Sequence, residues 1–217
     1  MALDLSKIIS LPFPEDQYFK TEFPKKQIVL HHTASGRGTD GDFRYWLNTP
    51  QRIATSMIID FQGEIYQCFS SCYWGHHLGI KGDSRNTVLN QKSIALEIDA
   101  WGGLVYRDGH WWTYVDSFGT TGFGTIVSED RIIKYPNGYR GFEAFEKYTD
   151  AQIESVRDLL IFLNHKYNIP LMYNEDMWDI SINALGGTPG VWTHNSFRTD
   201  KSDCHPQPSF IKMLKTL

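Results

Sequence analysis

The chain has 217 residues, 41% of them hydrophobic, with 21 basic and 25 acidic side chains and a formal net charge of -4. That length buries one core and is short for two domains, and the mild acidity excludes the basic stripe of a nucleic-acid binder. No window approaches the roughly 18 apolar residues of a membrane-spanning helix.

Residues 1–26 carry Pro12, Pro14 and Pro24 and read as an ordered lead-in. Met1 to Lys7 has no basic start followed by an apolar run, so no secretory leader is expected and synthesis in the cytoplasm follows. Gln27-Ile28-Val29-Leu30 is short, apolar and partly β-branched, which predicts a buried strand ending at His31-His32. Gly36, Gly38 and Gly41 mark a loop, and Phe43 to Leu47 a helical turn or two. Two apolar runs around Gln62-Gly63 predict a hairpin over 56–67.

Ser93 to Asp99 reads as another strand with acids at its end, and residues 102–141, rich in glycine and aromatics, as an insertion of short strands. Thr149 to Tyr167 is the clearest helix. Thr149 and Gln152 form a capping-box pattern, Ile153, Val156, Leu160 and Leu163 share one face, and Asn168 with Pro170 stop it. A glycine-rich loop then precedes Val191-Trp192-Thr193-His194. Interspersed strands and helices predict a single α/β domain over 1–217, with a central mixed sheet flanked by helices.

An odd, small set of cysteines, Cys68, Cys72 and Cys204, argues against a disulfide framework, although Cys68 and Cys72 could pair. Aromatics at 14% serve either packing or a groove that stacks sugars or peptide, and composition leaves both open. Three polar groups stand at strand ends: His31, Glu97 and His194. A lone His after a strand is usually a structural residue. A carboxylate inside an apolar run is harder to dismiss, because burying it is costly without a partner or a metal. Beyond His194, Asp203 and Cys204 offer a carboxylate and a thiol, either of which with His31 and His194 would make three protein ligands, the number a catalytic zinc uses.

Taken together, Ile28 to Ser35, Met57 to Ile65, His77-Leu78-Gly79, Ser93 to Glu97, and Thr193-His194 with Lys201-Ser202-Asp203 resemble, in order and over roughly 27–206, one zinc amidase family. Phage amidase lysozymes, anhydro-muropeptide amidases and peptidoglycan recognition proteins share it. The resemblance implies hydrolysis of the N-acetylmuramoyl–L-alanine bond of peptidoglycan with Zn2+ as cofactor. It implies His31 and His194 as zinc ligands and, two residues after Lys201, Asp203 as the third, with Cys204 as competitor. It also implies Glu97 as base, Lys201 as the group that stabilises the transition state, and His77 as a groove residue contacting substrate. Thr55 stands where other members carry a Tyr, so this chain departs from the branch that uses it. A monomeric phage endolysin, reaching the wall through a holin, fits these traits. A cytosolic recycling amidase and a recognition protein that binds without cutting are the alternatives.

Overall fold

Every residue of Gln27–His32 (β2) and of Ser93–Ile98 (β5) is buried. Strands apolar on both faces belong at the centre of a sheet covered on both sides, where parallel pairing is the usual solution. The computed structural model describes residues 3–36, 38–49, 51–117 and 120–217 and places both strands centrally. Met1 and Ala2, which bear on the expected lack of a leader, and Phe118 and Gly119, within the expected insertion, lie outside the described residues.

In chain order, Ile9–Ser10 (β1) and β2 are followed by helix Thr39–Leu47 (α1), Met57–Ile59 (β3), Ile65–Gln67 (β4) and helix Asn86–Lys92 (α2), which runs straight into β5. The sheet order is β1-β4-β3-β5-β2, closed at the far edge by a late strand, Gly190–Thr193. Only the β3–β4 hairpin, with Gly63 at φ 82° in its turn, is antiparallel. The lead-in thus contributes an edge strand that was not expected from its prolines.

The span expected to be an insertion forms a second, antiparallel sheet from Gly103–Arg107 (β6), His110–Ser117 (β7), Thr120–Val127 (β8), Ile132–Tyr139 (β9) and Phe142–Glu146 (β10), in the order β8-β7-β6-β10-β9. Its strands reach eight residues, longer than the short strands expected. Two-residue turns at Asp108-Gly109 and Arg140-Gly141, all at positive φ, join β6 to β7 and β9 to β10. Such turns match the twist of long strands. Leu104, Trp111, Val127, Ile132 and Ala144 give this sheet a small core of its own.

Asp150–Tyr167 (α3) begins at a complete capping box: Thr149 Oγ1 accepts from Gln152 N–H, and the Gln152 side chain accepts from Thr149 N–H. Buried Gln152 also donates to Asp99 O at 2.7 Å, which ties the helix start to the end of β5. Asn168 closes the helix in the left-handed region. Ile182–Leu185 (α4), the edge strand Gly190–Thr193 (β11) and Pro208–Leu214 (α5) complete the chain. Ile153, Val156, Leu159, Leu160 and Leu163 of α3 and Phe210, Met213 and Leu214 of α5 join the central strands in the main core. A second cluster around Phe13, Tyr18, Trp46, Ile58 and Phe69 covers part of the sheet elsewhere.

Cys68, Cys72 and Cys204 are free. The possible Cys68–Cys72 pair does not form: Cys68 is buried in the second cluster, and Cys72 Sγ lies 3.1 Å from Ser70 Oγ. Among the described residues no helix is long and apolar enough to cross a membrane.

Candidate metal centre

Strand alternation separates the two histidines of β2. In register, His31 stands beside Glu97 on β5, and Glu97 beside Ile58 on β3, so the three side chains share one face of the sheet. His32 stands beside Ile98 and Ile59 on the opposite face, the one α3 packs against. There its Nδ1 meets Tyr148 Oη at 3.0 Å. Gly102, at φ 75°, is required beside it, because a Cβ there would lie 2.3 Å from His32 Nε2.

On the His31 face two distant segments arrive. His194 follows β11, the neighbour of β2, and Asp203 lies on the loop beyond. Asn195 shapes that loop, with its N–H donating to Asp203 O at 3.2 Å and its Nδ2 to Cys204 O at 2.6 Å. His31 Nδ1 lies 3.1 Å from His194 Nδ1 and 3.1 Å from Asp203 Oδ2, and His194 Nδ1 lies 2.9 Å from Asp203 Oδ2. All three residues are buried.

The hydrogens do not fill this triangle. Leu78 O, which can only accept, lies 2.8 Å from His194 Nε2, so His194 carries its hydrogen on Nε2 and its Nδ1 is bare. Ser93 Oγ donates to Leu89 O at 2.8 Å and therefore accepts from His77 Nε2–H at 2.7 Å. His77 Nδ1 is then an acceptor, so His31 Nε2, 3.0 Å away, is the donor and His31 Nδ1 is bare too. Burial, and then the charge of His194, lowers the His31 pKa to about 4, so it stays neutral. Burial would raise the Asp203 pKa, but the charge and hydrogen bonds that His194 and His31 would supply if protonated outweigh it and hold the carboxyl well below the ordinary range, so a proton in the cluster would sit on an imidazole and not on Asp203. Three lone-pair donors thus face one another with no hydrogen between them. That arrangement calls for a cation. Tetrahedral zinc with bonds of 2.0–2.1 Å separates its ligand atoms by about 3.3 Å, close to the separations here, and two imidazoles with one carboxylate suit that ion. His31, His194 and Asp203 form the one such metal-ligating group found among the described residues.

Cys204, the competitor to Asp203, is buried beside the Tyr148 hydroxyl, and burial pushes its thiol well above the ordinary range. Its Sγ is not among the atoms that converge with those of His31 and His194. Glu97 is buried, and its Oε2 has no hydrogen-bond partner among the described residues. Burial, and then the charges of Asp203 and Asp42, hold its carboxyl well above the ordinary range, while Lys201 pulls the other way. Lys201 is half-buried, and its charge is felt at both Glu97 and His31. Thr55 is buried, with its hydroxyl within 3.1 Å of Met57 O and of Ala95 O, so it does not stand in for a catalytic Tyr. His77, expected to contact substrate in the groove, is half-buried. Both of its ring nitrogens are engaged inside the protein, by His31 and Ser93, which leaves neither for a substrate. Ser93 and Leu78, which lie in segments of the resemblance without an expected role, and Asn90, which lies outside them, complete the surroundings of the histidines.

Two further buried carboxyls lie nearby. Burial raises the Asp42 pKa to about 7 despite a hydrogen bond from Ser35, and burial, then the charge of Asp42, raises Asp99 to about 7. An acid whose folded pKa exceeds its unfolded value near 3.8 binds its proton more tightly when folded. The stability it confers is complete below about pH 4 and is lost as pH rises towards 7. Asp42→Asn is therefore expected to raise stability at about pH 8, by at most about 4 kcal/mol, and with it the melting temperature, and to leave both unchanged near pH 4. Thermal melts at both values check this, and parallel pH profiles for variant and parent would refute it.

Fold and site together define an α/β hydrolytic enzyme built around two histidines and a carboxylate able to hold a metal. The N-acetylmuramoyl-L-alanine amidase family model matches residues 22–208, and the chain belongs to that family. Its activity is that of an N-acetylmuramoyl-L-alanine amidase, and peptidoglycan is the corresponding substrate. No curated protein sequence matches significantly. Among solved structures, PlyL is similar at 14% identity over 96% of each chain, with a TM-score of 0.53. A mutant endolysin from Bacillus subtilis is similar at 17% identity over 99% of each chain, with a TM-score of 0.52. A selenomethionine derivative of AmpD is similar at 15% identity over 99% of each chain, with a TM-score of 0.50. At these identities the likeness is one of fold.

Proposed function

We propose that this amidase is zinc-dependent, that His31, His194 and Asp203 hold the ion, and that the enzyme acts as an endolysin on intact cell wall. The observation that carries the metal reading is the triangle of three bare donor atoms at 2.9–3.1 Å. Zinc bound there would act as a Lewis acid towards the scissile carbonyl and lower the pKa of water from 15.7 to about 7.

The protein's own groups do the rest. Glu97, in register with His31 on the same face, takes the proton of the attacking water on its partnerless Oε2 and hands it to the departing L-alanine nitrogen. A carboxyl held above its ordinary range suits both halves of that transfer. Lys201 balances the negative charge that develops on the carbonyl oxygen. The fold likeness to an endolysin from Bacillus subtilis supports the lytic role.

Digestion of whole sacculi should release peptides with a free L-alanine amino group and leave glycan strands intact, as read by mass spectrometry. New reducing ends without free alanine would refute the amide-bond reading. Turnover of soluble anhydro-muropeptides with no action on sacculi would replace the endolysin role by recycling.

A further inference from the structure

Both histidines of the centre lean on the same two residues. His31 Nε2–H donates to the ring of His77, and His194 Nε2–H donates to the backbone carbonyl of Leu78. The strap His77-Leu78 is therefore the orienting partner of both ligands, one through a side chain and the next through the main chain. Its own two N–H groups go to a single atom. Asn90 Oδ1 on α2 accepts from His77 N–H at 2.8 Å and from Leu78 N–H at 3.1 Å. Asn90 is fully buried, and its Nδ2 is fixed in turn by Asn86 O at 2.7 Å. With both ends of its amide engaged, Asn90 has one orientation.

Resting on the zinc reading above, we infer that Asn90 is a positioning residue of the metal centre: it pins the His77-Leu78 strap and, through it, aims the Nδ1 atoms of His31 and His194 at one point. The physical reason is register. The strap lies outside any strand, and backbone pairing stops at the single bridge of His76 with Ile53 just before it. If Asn90 releases it, the two acceptors move together and both imidazoles lose the contact that sets ring orientation and tautomer. Loss of such outer partners costs about 10–100-fold in metal affinity.

The experiment measures zinc affinity by chelator competition, and the visible spectrum of the cobalt(II)-substituted protein, in the full chain. Asn90→Ala is expected to weaken zinc binding by about 10–100-fold and to shift or weaken the cobalt bands. Asn90→Asp keeps the accepting oxygen and should recover most of the affinity. Leu163→Ala, a core change away from the centre, should lower the melting temperature and leave affinity and spectrum unchanged. A folded Asn90→Ala protein with wild-type affinity and spectrum overturns the proposal, and so does an equal loss of affinity in Leu163→Ala. Should Asn90→Ala fail to fold, His77→Ala decides, since it removes one acceptor and keeps the strap, and wild-type affinity there overturns the proposal as well. Wild-type protein that binds neither zinc nor cobalt would sink the metal reading itself, an outcome distinct from variants that bind normally.

Discussion

His31→Ala, His194→Ala and Asp203→Ala are each expected to abolish zinc retention through gel filtration, while Cys204→Ser keeps about one zinc per chain. Each alanine removes one corner of a triangle whose sides are 2.9–3.1 Å, and two remaining donors cannot close a catalytic site. The same change removes an acceptor from a cluster of acceptors, which in the metal-free protein offsets part of what the cavity and the lost contacts of His31 and His194 to His77 and Leu78 cost. Zinc at about 1,000 times its Kd should then stabilise the parent by about 4 kcal/mol and none of the three variants. Metal analysis and melts with and without zinc read both halves. Full occupancy in any alanine variant would strike that residue from the ligand set, and loss of zinc in Cys204→Ser with retention in Asp203→Ala would move the third ligand by one residue.

Glu97→Gln should keep fold and zinc and lose about 10²–10⁴ in rate, or roughly 3–5 kcal/mol of barrier. Gln is nearly isosteric, and β5 is buried along its whole length, so the strand should pack as before. The amide cannot take a proton from water. Glu97 Oε2 has no hydrogen-bond partner among the described residues, so the substitution breaks no hydrogen bond at that atom. A purely structural Glu97 predicts the opposite: lower stability, with full activity per folded molecule. Turnover and melting temperature on the same sample separate the two.

The amino-acid pattern by itself determined what depends on near neighbours. The capping box at Thr149–Gln152, the apolar stripe of α3 and its stop at Asn168 are local, because they rest on hydrogen bonds and faces that recur within one or two turns. The β3–β4 hairpin and the buried strands β2 and β5 were legible for the same reason, and so were the residue types of the centre. The second sheet was legible as a glycine- and aromatic-rich insertion of short strands, without its strand lengths or order, although Asp108-Gly109 carries a hairpin signal. Which of His31 and His32 faces His194 and Asp203 was open to alternation only as a contrast between neighbours. Tertiary structure settled it by packing α3 against the His32 face. Asp203 and Cys204 are adjacent in a loop without periodicity, and only the tertiary structure, with Asn195 holding the loop, brings the Asp203 carboxylate to His31 and His194 and buries the Cys204 thiol beside Tyr148. His77, expected as a substrate contact, stands behind His31, a contact the sequence did not show. Its partners are reached across 46 and 16 positions, and the ligands themselves across 163 and 172. Convergence over such separations is set by sheet register and loop closure, and neither leaves a periodic trace in the chain.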